Sequence, residues 1–527
     1  MLTFRLPLAI AFGALACFLV LVATEPVGPG LDPDSVSYVS AARSLVHRGA
    51  LEAPEDDWVE PDSTTVLAHF PPGFSAAIAV PLAFGMPPVQ GARLVEALAA
   101  LATMTIVVWL VSISAGLAAG AAAGAMLVCT PAIAMVHESV LSEPLFLALL
   151  AATLALMTRR ADRPLLAGVG AALAALVRYA GISAIAAVGL WWLARGGGDG
   201  DGERADLRER VRGAALAILP GAIAMGAWVL RTVLETHERS AIRQLSLYGE
   251  LAPTFREGAA TIAAWLAPGL SGPWRAVAAG VVGVAMVALV VSAARRARGG
   301  SPARTLLAAA VVVGVCYAGV VLASRLLADP GIPLDERLLA PLVLLVEVAV
   351  AAALGAAWGA WRAPARAAAV ALLVAWCAAS AVVVVDDARY ALETGDDYAD
   401  VQWSGSRLIE WVRDHGRGRP LFTNYPTALY FHAGRLSREL PASPTPAEAR
   451  AFADTVAARH GLIVAFERSS EFNALPDSLL SMIPAVAVAR APDGAIYEVR
   501  GRCRGDPARH GTDVPCPGAG RDAFTAR

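Results

Sequence analysis

The stretch that decides the fold is Leu31-Asp-Pro-Asp-Ser-Val-Ser-Tyr-Val-Ser-Ala-Ala-Arg-Ser-Leu45, which follows the apolar run 6–23. A run of that length is a membrane span. The segment after it reads as a helix with Val36, Val39 and Leu45 on one face, opened by two carboxylates, Asp32 and Asp34. An acid at a membrane surface and a helix N-terminus is a candidate for chemistry. It is equally an ordinary helix cap, because Asp34 precedes Ser-Val-Ser. These residues alone do not separate the two readings, so the rest of the chain must.

Composition excludes a soluble protein: 57% of the 527 residues are hydrophobic and mean hydropathy is +0.56. Net charge is -2, and all 43 basic residues are arginine, scattered at loop ends. Without a basic stripe there is no case for a nucleic-acid partner. Apolar runs at 6–23, 91–114, 117–136, 144–157, 165–177, 182–194, 214–233, 274–293, 305–327, 338–361 and 365–385 predict eleven spans. The fifth and sixth are short and hinged at Arg178-Tyr-Ala-Gly181. Met1-Leu-Thr-Phe-Arg5 is also a basic start of signal-peptide type, but no clean small-x-small cleavage site precedes Glu25, so the first run is read as a retained span.

With the N-terminus inside, the loops carrying Arg159, Arg160 and Arg163, then Arg204 to Arg212, Arg295 to Arg304, and Arg362 with Arg366, all lie inside. The first outer loop, 25–88, has only Arg43 and Arg48 against nine acids. An odd number of spans leaves everything after Asp386 outside, and makes Gly198 cytoplasmic while Pro54 and Asp506 are external. The predicted fold class is therefore mainly α, a polytopic membrane helical bundle over 1–385. Short strands at 421–423, 462–466, 485–488 and 495–499, with helices at 403–415 and 446–460, predict a small α/β domain over 386–500 on the outer face of the cytoplasmic membrane. A loose tail, 501–527, follows.

Of six cysteines, Cys17, Cys129, Cys316 and Cys377 lie in apolar runs and read as small core residues. Cys503 and Cys516 lie in the polar tail and can pair in an oxidising compartment. Gly120-Ala-Ala-Ala-Gly124 has the small-xxx-small spacing of helix packing. Glu347 falls near the middle of its span, where it must face the bundle.

The chemistry-bearing groups gather at the outer face. They are Asp32 and Asp34 with Tyr38; His69-Phe-Pro-Pro-Gly73, which leads into an interfacial helix over 74–84; His137-Glu138 and Ser142-Glu143; Arg178-Tyr179; and Asp335-Glu336-Arg337. Each has a plainer reading. His69 can satisfy a carbonyl, Arg178 and Arg337 can be interface anchors, and Glu143 can answer a helix dipole. His137-Glu138 lacks the second histidine of a zinc protease motif. Taken together at one depth they suit a sugar on a polyprenyl phosphate, which presents a phosphate at the interface and a glycosyl carbon just beyond. Arginine forks match phosphate oxygens, and a carboxylate can take the proton of an attacking hydroxyl.

Asp34-Ser-Val-Ser-Tyr38, Phe70-Pro-Pro-Gly73, Ser142-Glu-Pro144, Leu176-Val-Arg-Tyr179 and Arg337-Leu-Leu-Ala-Pro341 together resemble the GT-C glycosyltransferases, in particular bacterial relatives of the protein O-mannosyltransferases and the lipid A aminoarabinose transferase. The resemblance covers about 6–385. It implies an inverting membrane glycosyltransferase of the cell envelope, taking a sugar from a polyprenyl-phosphate donor, with the catalytic aspartate at Asp34. Where the mannosyltransferases have Asp-Glu, this chain has Asp34-Ser35. Asp32 is the second catalytic candidate. Tyr38, His69, His137, Glu138, Glu143, Arg178, Tyr179 and Arg337 form the candidate substrate-binding set. No cofactor is firm, though a divalent metal is compatible, and partners are the lipid-linked donor, membrane lipids and a lipid, glycan or protein acceptor. A transporter of a lipid-linked substrate and a catalytically inactive assembly protein also fit the spans.

Overall fold

A computed structural model of the chain describes residues 4–25, 27–54, 65–160, 162–194, 206–236, 247, 251–296, 300–329, 331–468 and 476–500. The Cys503–Cys516 pairing and the topology markers Gly198 and Asp506 lie outside these residues. Contacts divide the chain into two units: residues 1–30, 41–51 and 66–396 form the first, and 31–40, 52–65 and 397–527 the second.

The first unit is helical. Its elements are α1 (Arg5–Ala23), the second half of α2 (Pro33–Arg48), α3 (Gly73–Ala83), α4 (Pro88–Ala115), α5 (Leu117–Cys129), α6 (Pro131–Glu138), α7 (Glu143–Arg159), α8 (Pro164–Val177) and α9 (Ile182–Ala194). There follow α10 (Leu207–Thr236), α11 (Leu251–Leu266), α12 (Gly272–Arg296), α13 (Pro302–Ala323), α14 (Glu336–Trp358) and α15 (Ala363–Thr394). Proline stands in the first turn of several of these, where a missing N–H costs nothing and the ring presets φ.

Among the described residues seven helices are long and apolar enough to cross a bilayer, or eight if α5 and α6 count as one bent span. Eleven were expected. The shortfall lies at 144–157, 165–177 and 182–194, whose helices α7, α8 and α9 have 17, 14 and 13 residues, below the roughly 20 that a full crossing takes. The run 117–136 is two helices bent by 60° at Thr130-Pro131, because proline cannot donate into the preceding turn. The amphipathic helix α11 is absent from the sequence reading.

Small residues set the closest contacts. A Cβ at Gly120 would lie 1.9 Å from Ser112 Oγ of α4, and one at Gly124 would lie 2.7 Å from the Phe12 ring of α1. The spacing read as helix packing is therefore where α5 meets α4 and α1. The helix expected over 74–84 is α3, and a Cβ at Gly73 would meet the Leu176 carbonyl of α8 at 2.6 Å.

Glu347 accepts from Thr130 Oγ1 at 2.5 Å and from Trp265 Nε1 at 3.3 Å, and is 1% exposed. It thus braces the α5–α6 break from inside the bundle. The apolar helix α15 continues past Asp386 to Thr394 and stops at Gly395, whose φ of 76° ends the helix. The C-terminal part of the second unit begins at Asp397.

In the second unit, helices α16 (Val401–Ser404), α17 (Arg407–His415), α18 (Pro426–Ala433), α19 (Pro446–Ala458) and α20 (Asp477–Met482) accompany a five-stranded sheet. The helix expected over 403–415 is broken at Gly405, after which Ser406 Oγ accepts from the Ile409 amide and caps a new one. Two short strands, β1 (Glu52–Ala53) and β2 (Thr65–Val66), pair separately. The sheet runs in the order Arg438–Glu439 (β4), Leu421–Thr423 (β3), Leu462–Phe466 (β5), Gly494–Val499 (β7) and Ala485–Ala491 (β6). β4, β3 and β5 are parallel, whereas β5, β7 and β6 are antiparallel. Every residue of β5 is buried, as a central strand covered on both faces requires.

Candidate functional site

Asp32, Asp34 and Tyr38 sit in the second unit, on the first turns of α2. Asp32 does the capping: its Oδ1 accepts from the Ser35 amide at 2.9 Å and the Ser35 hydroxyl at 2.8 Å. Asp34 follows inside the first turn, half-buried, and Tyr38 is 2% exposed. Two contacts hold this half of α2 within its unit, the Tyr398 amide donating to the Leu31 carbonyl at 2.8 Å and the Ser40–Tyr430 hydroxyl pair at 3.1 Å. Asp32 thus fills the capping role at the start of α2.

In the first unit the structure joins three of the expected residues. Glu143, the first residue of α7, is 1% exposed and receives two guanidiniums on one oxygen. Arg178 Nη1 lies 2.6 Å from Glu143 Oε1, and the same oxygen accepts from Arg337 Nε. Arg178 also donates to Ser142 Oγ at 2.9 Å. The Arg178 and Arg337 side chains stay 16% and 23% exposed, so both still reach the surroundings of the cluster. A buried carboxylate shared in this way keeps two guanidiniums at a fixed separation. Such a pair suits the oxygens of a phosphate.

Local sequence explains the placement. Arg178 ends α8 in an extended conformation at the hinge seen in sequence, and Arg337 lies in the first turn of α14 behind the cap Asp335, whose Oδ1 accepts from the Leu338 amide at 2.8 Å. Burial raises the Asp335 pKa, opposed by that amide and by the Arg337 guanidinium.

Tyr179 points elsewhere: its hydroxyl donates to the Ala68 carbonyl at 3.2 Å and accepts from Trp228 Nε1 at 3.0 Å. Arg231 donates to the Leu67 carbonyl at 2.9 Å, so the loop carrying His69 is tied beside the Arg178-Tyr179 hinge. His69 is exposed with its ring against Phe70. His137 and Glu138 end α6 and line two cavities whose walls include neither Arg178 nor Arg337.

Several residues of the site escaped the sequence reading. Glu96 of α4, fully buried, accepts from the Leu141 amide at 3.2 Å and so fixes the turn before Glu143. Glu257 holds Arg325 at 2.6 Å and the Leu334 amide at 2.7 Å, while Thr261 donates to the Leu334 carbonyl at 2.6 Å. These contacts fasten the loop that delivers Arg337. Glu96 had one readable signal, a carboxylate within an apolar run. Among the described residues no group of three or more His, Cys, Asp or Glu side chains is placed to hold a metal.

No family model and no curated protein matches the sequence. Solved structures do resemble it. Over 93% of this chain and 97% of the other, it is similar to ArnT from Cupriavidus metallidurans, a structure bound to undecaprenyl phosphate, with TM-score 0.58 and 14% identity. The fold is that of the GT-C glycosyltransferases. Arabinofuranosyltransferase AftD from Mycobacteria shares it at TM-score 0.52 and 17% identity, over 94% of this chain and 41% of that one. So does the oligosaccharyltransferase AglB from Archaeoglobus fulgidus, solved with an inhibitory peptide and a dolichol-phosphate, at TM-score 0.51 and 12% identity, over 86% and 69%. With its apolar helices, this GT-C-fold chain is a multi-pass membrane protein.

Proposed function

We propose that the protein transfers a pentose or hexose from a polyprenyl-phosphate donor to a hydroxyl-bearing acceptor at the outer face of the cytoplasmic membrane, with inversion at the anomeric carbon. The observation that carries the reading is the convergence of Arg178 and Arg337 on buried Glu143 in a chain with the GT-C fold. In this reading the two guanidiniums hold the donor phosphate. Asp34 accepts the acceptor's proton as its oxygen bonds to the anomeric carbon. The bond from that carbon to the phosphate oxygen breaks, and its electron pair leaves with polyprenyl phosphate, whose added charge the arginines stabilise.

The ArnT structure bound to undecaprenyl phosphate supports this donor class. The second unit, with Asp34 on its part of α2, lies outside in this topology. Purified protein in nanodiscs, given radiolabelled polyprenyl-phosphate pentoses and hexoses, is expected to release polyprenyl phosphate from one of them. Folded protein that cleaves none, but moves a donor across a sealed bilayer, would replace this reading with transport.

A further inference from the structure

Two of the four described cysteines face each other across a pair of helices. Cys129 is the last residue of α5 and Cys377 lies near the middle of α15. Both are half-buried, and the Cys377 thiol donates to the Cys129 sulfur. Their neighbours in sequence converge independently on one place. Thr130, next to Cys129, donates to Glu347 Oε1 at 2.5 Å, and Trp265 Nε1 donates to the same oxygen at 3.3 Å. Trp376, next to Cys377, packs against the apolar cluster that contains Trp265.

The two helices are held very differently. Along α5, Ala119, Gly120, Ala123, Gly124, Met126 and Leu127 are all buried, and the close approaches at Gly120 and Gly124 fix it to α4 and α1. Along α15 only Ser380 is buried, one turn after Cys377 and on the same face. A helix with so little buried surface is restrained chiefly by whatever joins that one face to the core.

We propose that Cys129 and Cys377 are a redox-modifiable pair, closing to a disulfide that staples α15 to α5 and reopening to the dithiol on reduction. Both Sγ–H bonds break and one Sγ–Sγ bond forms. The two protons and two electrons pass to a lipid-soluble quinone, which becomes the quinol. Both cysteines lie within apolar helices of membrane-crossing composition, so an oxidant dissolved in the bilayer reaches them where a charged one is excluded. Thiols already in contact need only small side-chain rotations to bring the sulfurs to about 2.05 Å. The pair touches neither Arg178 nor Arg337, and the proposal rests on no step of the proposed transfer.

The test uses the full chain with Cys503→Ser and Cys516→Ser, reduced, placed in nanodiscs and given tetramethylbenzoquinone, whose fully substituted ring resists addition of a thiol. Alkylation and peptide mass mapping follow. The expected product is one linked peptide pair holding Cys129 and Cys377, with Cys17 and Cys316 still alkylated. Linkage should raise the melting temperature by at least about 2 °C, and dithiothreitol should reverse both changes. Cys129→Ser and Cys377→Ser should each abolish the linked peptides and the rise, whereas Cys17→Ser should keep both. Four thiols still open to alkylation after the quinone would overturn the proposal, as would linkage through Cys17 or Cys316. A linked pair with an unchanged melting temperature would overturn the staple.

Discussion

Asp32 caps helix α2 through Ser35, whose amide and hydroxyl both donate to Asp32 Oδ1, at 2.9 and 2.8 Å. Two neighbouring acids therefore have separable duties. Asp32→Ala should lower stability by about 1 kcal/mol, the usual cost of a lost cap. Asp34→Asn should leave the melting temperature in place and cut transfer by about 10²–10⁴-fold, as expected on removing a general base. Thermal melts alongside turnover decide this, and near-normal transfer by folded Asp34→Asn would defeat the assignment.

Arg337 and Arg178 share Glu143, so changing any of the three disturbs the others. Arg337→Lys keeps a charge but loses the fork and should raise the donor KM with a smaller effect on kcat. Glu143→Gln removes the anion between two guanidiniums and should cost roughly 1–3 kcal/mol, read as a drop in Tm. A donor KM unchanged in Arg337→Ala would leave Arg337 as an interface anchor only.

Asn424, 4% exposed, joins the end of β3 to the end of β5 by a two-way clasp. Its Nδ2 donates to the Phe466 carbonyl at 2.9 Å, and its Oδ1 accepts from the Phe466 amide at 3.0 Å. Asn424→Ala leaves both backbone groups buried without a partner and should destabilise the second unit by roughly 2–4 kcal/mol. Asn424→Asp keeps the acceptor and should lose less. Urea melts of the full chain, followed by proteolysis within residues 397–500, would measure it.

His432 supplies a pH dependence. Its Nε2 donates to the Tyr398 carbonyl at 2.9 Å, its ring stacks on Trp403 with centroids 6.3 Å apart, and burial lowers its pKa below the ordinary 6.5. Between the folded and unfolded values the unfolded chain binds more protons, so stability rises with pH across that window. The second unit should therefore hold its full stability above about pH 6.5 and lose some as pH falls through the lower folded value. His432→Gln should flatten that slope in melts between pH 7.5 and 5. An identical slope would assign the effect to another group.

The arginine asymmetry of the loops predicts orientation. A membrane-impermeant thiol reagent added outside should label Pro54→Cys and miss Gly198→Cys, in a background with the native cysteines replaced. The reverse pattern would put the proposed donor site on the wrong face.

Local pattern made much of this protein legible from sequence. The apolar runs located the seven helices long and apolar enough to cross a bilayer, the Gly120–Gly124 spacing marked a close helix contact, and all four expected strands are present within a residue or three of their expected bounds. Residue type together with the GT-C resemblance singled out Asp34, Arg178 and Arg337 as candidates to meet a lipid phosphate and its acceptor. What local pattern could not count was the spans, because a 13- or 14-residue apolar helix reads as a short crossing until its ends are located. Nor could it say which aspartate caps α2, since both precede the same turn and only side-chain geometry distinguishes them.

Partnership across the chain was decided by the tertiary structure alone. Glu143 meets Arg337 across 194 positions, and Glu347 meets Thr130 across 217. Hydropathy and turn chemistry act over a few residues and so are written locally. A buried carboxylate takes whatever donor the packing of distant helices delivers to it, and that is a property of the whole fold.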